Sequence, residues 1–123
     1  MNGIRYFVDT NILIYLLSGD GTLINILDDK QIYISFITEI ELLSFKNLSS
    51  RDIDKIESML NNFIIIDIND SIKTTAIRFR KKYNLKIPDS IIAASSYYLN
   101  LPLLTSDIDF KSLKEITTIL YTH

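Results

Sequence analysis

Short apolar runs of strand length alternate along this chain with longer segments whose apolar residues recur at helical spacing, and that alternation restricts the fold more than any other feature. Residues 4–8 (IRYFV) read as a strand and 11–17 (NILIYLL) as a buried helix, closed by the turn signal SGDG at 18–21. A brief helix near 22–29 leads to QIYISF at 31–36, a second strand. In 38–48 (TEIELLSFKNL), Ile40, Leu43 and Phe45 can face inward at helical spacing. Ser49 is placed to cap the next helix, whose Ile53, Ile56, Met59 and Leu60 form a stripe. FIIID at 63–67 is a continuous apolar run, the pattern of a strand buried on both faces of a parallel sheet. Two helices follow, at 69–84 and 88–100, then a strand in LPLLTSD (101–107) and a last one in EITTILY (115–121). Strands alternating with helices predict an α/β fold with a mainly parallel sheet.

The size, 123 residues, suits one domain, expected to span 1–123. With 47% hydrophobic and 23% charged residues the composition is globular, and no apolar run reaches membrane-spanning length. Residues 1–20 lack the pattern of a secretory leader, so a soluble, cytoplasmic protein is expected. The absence of cysteine excludes disulfides and thiolate-held zinc. The one histidine, His123, stands at position 123, where disorder is expected, which argues against histidine-based catalysis.

Parallel sheets put ligand sites at the carboxyl ends of their strands, and Asp9 and Asp107 fall there. Each candidate acid also has an ordinary explanation. Asp9 could cap a helix starting near Asn11; Thr38 and Glu41 fit an S/T-x-x-E capping box. Asp89, after Pro88, could be a first-turn acid, and Asp107 and Asp109 turn residues. Taken together the acids share one edge of the sheet, each beside strongly apolar sequence, and Asp9, Glu41 and Asp107 have no basic residue within three positions. Converging carboxylates raise one another's pKa unless a cation neutralises them. Oxygen ligands without His or Cys select Mg²⁺ or Mn²⁺, a set suited to hydrolysis of phosphoryl esters. The net charge of −2 offers no general attraction to nucleic acid. A local run at 77–86, with Arg78, Arg80, Lys81, Lys82 and Lys86, reads either as a helix end favoured by its dipole or as a phosphate-facing patch. Tyr97 and Tyr98 read as core or dimer contacts before base-stacking groups.

In their order and separation, FVDTNILIYLL, ISFITEIELLSF and IPDSIIAASSYYLNLPLLTSDIDF resemble the three conserved segments of PIN-domain nucleases, most of all VapC-type toxins. The resemblance spans nearly the whole chain. It implies a three-layer α/β/α fold around a parallel sheet of four or five strands, and Mg²⁺- or Mn²⁺-dependent endoribonuclease activity. It also implies a homodimer held inactive by a cognate antitoxin. By position, Asp9, Glu41, Asp89 and Asp107 match the family's metal-binding acids, and Asp109 a further, less constant one. Asn11 matches a residue that orients the first acid and Thr105 a hydroxyl near the site, while Ser106 departs from the family's usual asparagine. Glu39 falls on a different helix face. In this reading Arg78, Arg80, Lys81 and Lys82 face the RNA.

Two other phosphoryl-transfer folds fit poorly. A haloacid-dehalogenase phosphatase wants an acid where Asn11 stands, and a receiver module wants an acid pair and a lysine that are not in place. The rival from another class is a PIN-like binding or scaffolding module without turnover.

Overall fold

The structure, a computed structural model, describes residues 3–123. These form β1 (Arg5–Val8), α1 (Thr10–Leu17), α2 (Gly21–Leu27), β2 (Gln31–Ser35), α3 (Phe36–Leu43), α4 (Ser50–Leu60), β3 (Ile64–Ile66), α5 (Asp70–Tyr83), α6 (Ile87–Leu99), β4 (Leu103–Thr105), a 3-10 helix (Ile108–Ser112) and β5 (Thr118–Leu120). All strand pairs are parallel, in the order β3-β2-β1-β4-β5. The chain builds outward from β1 to β3 on one side, then crosses back to lay β4 and β5 on the other. The order reverses between β1 and β4, the place where a doubly wound sheet leaves a crevice at its carboxyl end.

Alternation along the central strands divides the core into two layers. Phe7 and Leu103 face Ile72, Phe79, Ile92 and Ala93 of α5 and α6. Their neighbours Val8 and Leu104 point the opposite way, against Ile12 and Leu13 of α1, Leu23 of α2 and Ile56 and Leu60 of α4. Helices thus cover both faces of the sheet, giving the three-layer α/β/α arrangement expected. Local signals fix the helix ends. Ser49 and Asp52 form a reciprocal capping box on α4. Asn84 and Asn100, at φ 57° and 53°, end α5 and α6 in the left-handed conformation that asparagine tolerates.

Several details differ from the sequence reading. The run at Ile64–Ile66 is an edge strand, not a doubly buried one, and Ile64 and Ile65 are exposed. Ile40 and Phe45 are also exposed, because α3 turns Thr38 and Leu42 inward instead. Ile53 lies at the margin of the α4 stripe, with Ile56 and Leu60 at its centre. His123 stacks on Tyr15 at 4.0 Å, with its Nδ1 2.8 Å from Asp20 Oδ2.

Candidate active site

Asp9 is the residue after β1 and the N-cap of α1, and it is 95% buried, at 5% exposure. Its cap is unusual in reaching only the first helical residue: the Thr10 backbone N–H donates to Oδ1 at 2.8 Å. The other oxygen, Oδ2, accepts from the fully buried Thr105 hydroxyl at 2.7 Å. Thr105 ends β4, and its Oγ1 also accepts the Asp107 backbone N–H at 3.0 Å. One hydroxyl therefore fixes the first acid and the loop bearing the fourth. Burial, ahead of these hydrogen bonds, pushes the Asp9 carboxyl up to about 6, and the charges of Asp89 and Asp107 push the same way.

Glu41 reaches the site from α3. The capping-box reading fails here, because Ser35 caps α3 through the Ile37 N–H while Thr38 lies buried inside the helix. Strand β2 runs straight into α3, so its last residue serves as cap and Glu41 is free for another role. Its Oε1 accepts from the Thr10 hydroxyl at 2.5 Å, and that hydroxyl lies 2.9 Å from Thr38 Oγ1. Thr10 and Thr38 thus tie Glu41 to the residue beside Asp9. The sequence marks Thr38 only as a helix cap and does not mark Thr10, although Thr10 stands in the same Asp-Thr-Asn triplet.

Asp89 lies half-buried in the first turn of α6, and its pKa is raised by burial and by Asp107, Glu41 and Asp109, with Lys86 opposing. Asp107 caps the 3-10 helix, accepting the Asp109 N–H at 2.9 Å, and Asp109 itself is exposed at the rim. Asn11 takes a different part from the one expected. Its Oδ1 accepts the Ser106 backbone N–H at 3.2 Å, so it holds the β4 loop while Thr105 orients Asp9. Ser106 takes part through its backbone, which any residue supplies.

Among the described residues, the ion pairs are Lys73–Asp70, Lys82–Glu115 and His123–Asp20, so the five site acids have no cationic partner. A buried carboxylate raised to about 6, coupled to others and lacking a cation, is the electrostatic setting that a divalent ion relieves. The all-oxygen donor set fits Mg²⁺ or Mn²⁺. In this arrangement no three acidic side chains among the described residues are gathered tightly enough to clasp an ion directly. Magnesium commonly keeps several waters and one or two carboxylates, which this looser grouping can supply.

The basic run on α5 serves the fold to a large extent. Arg80 Nε donates to Leu85 O at 2.9 Å, Lys82 pairs with Glu115 at 3.0 Å, and Arg78 lies over the Phe79 and Tyr97 rings at 5.5 and 5.7 Å. Lys81 is exposed in the last turn, beside the negative end of the helix dipole. Tyr97 and Tyr98 are exposed as well.

A PIN domain family model matches residues 6–116. No curated protein matches the sequence significantly. Among solved structures, a toxin–antitoxin complex from Klebsiella pneumoniae is 32% identical over 92% of this chain and 96% of that one, with a TM-score of 0.80. VapBC2 from Rickettsia felis, bound to a DNA fragment from its promoter, superimposes with a TM-score of 0.84 at 21% identity, covering 97% of this chain and all of the other. VapBC-1 from nontypeable Haemophilus influenzae gives 0.80 at 24% identity, over 95% and 98% of the two chains.

Proposed function

This chain belongs to the PIN domain family, and from that premise we propose that it is a metal-dependent endoribonuclease, the VapC-like toxin of a toxin–antitoxin pair. The observation that carries the reading is Asp9. The fold keeps a carboxylate 95% buried at the sheet's reversal point, clamps both its oxygens, exposes it to the charges of Asp89 and Asp107 and, among the described residues, pairs it with no cation. A structural cap needs none of that burial. The Klebsiella pneumoniae relative, a toxin–antitoxin complex, supports the biological role.

In this reading Asp9, Glu41, Asp89 and Asp107, with Asp109 at the rim, would hold Mg²⁺ or Mn²⁺. Such an ion, when bound, activates water and stabilises charge on the phosphate. The chain's own part is preorganisation. Thr105 and the Thr10 N–H fix Asp9, and the Thr10 hydroxyl fixes Glu41. Asp89 or Asp107 would orient the attacking water against an RNA phosphodiester, and Arg78, Arg80, Lys81 and Lys82 would lend positive charge to the flank. The partners are an RNA substrate, a cognate antitoxin and a second copy in a homodimer, in the cytoplasm. Among the described residues no single helix is long and apolar enough to cross a membrane.

The second reading, a PIN-like binding module without turnover, draws on the loose grouping of the acids. One assay separates the two: mixed structured RNAs incubated with Mg²⁺ or Mn²⁺ or with EDTA, beside Asp9→Asn and Asp89→Asn. Cleavage that needs metal and disappears in both folded variants is expected. Metal binding by calorimetry without any cleavage would favour a narrow RNA target or the binding module, and no metal binding would sink the site.

A further inference from the structure

A cavity of about 390 Å³ adjoins the acids, between the end of α5, the start of α6 and the 3-10 helix. Asp89, Asp107 and Asp109 line it together with Tyr83, Lys86 and Ser112. The wall at Tyr83 is built firmly. The Tyr83 hydroxyl donates to Glu115 Oε1 at 2.5 Å and accepts the Lys114 N–H at 3.3 Å, and Lys82 pairs with the same glutamate. After the left-handed turn at Asn84, Leu85 is buried and its carbonyl accepts from Arg80 Nε. These contacts anchor the backbone just before Lys86, while the Ser90 N–H donates to the Lys86 carbonyl at 2.9 Å. The Lys86 side chain itself is exposed and makes no ion pair among the described residues. It therefore differs from Arg80 and Lys82 of the same basic run, whose charged groups are held by the fold.

Three carboxylates lining a cavity repel a polyanion, so a strand threaded past them needs a cation beside them. Among the described residues Lys86 is the only cation lining this cavity. Resting on the nuclease reading above, we propose that the cavity takes the nucleotide next to the scissile bond and that Lys86 grips its phosphodiester. Three rotatable N–H donors on a flexible stem suit non-bridging phosphate oxygens without regard to base. Lys86 is then a positioning residue: it holds the strand, and the acids do the chemistry.

The test compares the wild type with Lys86→Ala, Lys86→Arg and Lys30→Ala, the last altering a cation beside β2 at the opposite end of the sheet. A fluorescein-labelled mixed structured RNA is used for anisotropy in EDTA across a salt series, and for cleavage kinetics with Mn²⁺. For Lys86→Ala, Kd and KM rise roughly tenfold with kcat nearly unchanged, and the slope of log Kd against log salt falls by about 0.7 to 1. Lys86→Arg restores most of this, and Lys30→Ala changes nothing. If the wild type cleaves and Lys86→Ala keeps its KM and salt slope, the proposal falls and the nuclease reading stands. A shift of the pH profile with the salt slope intact would also overturn it, because Lys86 would then act only on Asp89. A wild type that neither binds nor cleaves RNA would overturn both.

Discussion

Asp9 caps α1 and Asp20 caps α2, one helix later, and both carboxylates use two oxygens in hydrogen bonds. Asp20 accepts the Leu23 N–H at 3.1 Å, the Tyr121 hydroxyl at 2.8 Å and His123 Nδ1 at 2.8 Å, and Tyr121 above all holds its pKa below the ordinary carboxylate range. Asp9 accepts the Thr10 N–H and the Thr105 hydroxyl, yet its pKa rises to about 6 because burial outweighs both. A cap that exists for stability gathers donors until its charge is favoured. A carboxylate kept charged against its surroundings must be wanted for something outside the fold.

The largest expected effect separates the two residues outright. Asp9→Asn keeps the shape and an acceptor for Thr10 while removing the buried charge. RNA cleavage with Mn²⁺ should fall by at least about a hundredfold, while Tm at pH 7.5 in EDTA rises. Asp20→Ala should do the reverse, lowering Tm by about 5 °C through loss of a cap, with cleavage per folded molecule unchanged. Equal losses of Tm in both variants would abolish the distinction.

How far the sequence shows this depends on how local each interaction is. The β1–Asp9–α1 unit is legible because strand, acid and helix are contiguous, and the same holds for Asp107 after β4 and Asp89 after Pro88. Glu41 was ambiguous because Thr38 offered a plausible cap, and only the abrupt β2–α3 junction hands that task to Ser35. Asn11, Thr10 and Thr105 share one chemistry on paper. Which of them meets Asp9 is decided by β1 pairing with β4, a contact across 96 positions of sequence. The FIIID run misled for the same reason, since hydropathy cannot say which apolar strand ends at the sheet's edge. Lys86 looked like part of a basic run until the fold engaged two of its neighbours, Arg80 and Lys82, and left it at the cavity.

A middle-sized effect concerns pH. Metal-free and folded, the chain holds a proton on Asp9 between about pH 4 and 6 that the unfolded chain has already released. Stability therefore falls as pH rises through that window, and a rise from 3.8 to about 6 corresponds to about 3 kcal/mol. Asp89, raised for the same main cause, adds to the fall. Asp20 acts with the opposite sign: its contribution is present above the unfolded pKa and is lost as pH drops through its lowered folded value. Urea unfolding in EDTA from pH 3 to 8 should show the decline in the wild type and a much flatter profile in Asp9→Asn. An unchanged slope in the variant would place the cause elsewhere, and saturating Mg²⁺ or Mn²⁺ should remove the wild-type decline by favouring the charged form.

The smallest effect tests the stabilised half of the pair. Tyr121→Phe keeps the ring against the core layer that contains Val8 and removes only the hydroxyl that contributes most to lowering the Asp20 pKa. Asp20 retains the Leu23 N–H and His123, and the latter is held in place by its stack on Tyr15. The loss should therefore be a few degrees of Tm at pH 7, shrinking toward zero as Asp20 becomes protonated, with RNA cleavage untouched. Because Tyr121 and His123 reach the same oxygen, Tyr121→Phe and His123→Ala should not add: each remaining donor matters more once the other is gone. Additive losses would mean that the two groups stabilise α2 independently of Asp20. A fall in cleavage from Tyr121→Phe would tie the Asp20 cap to the acid site and leave Asp9 and Asp20 as parts of one system.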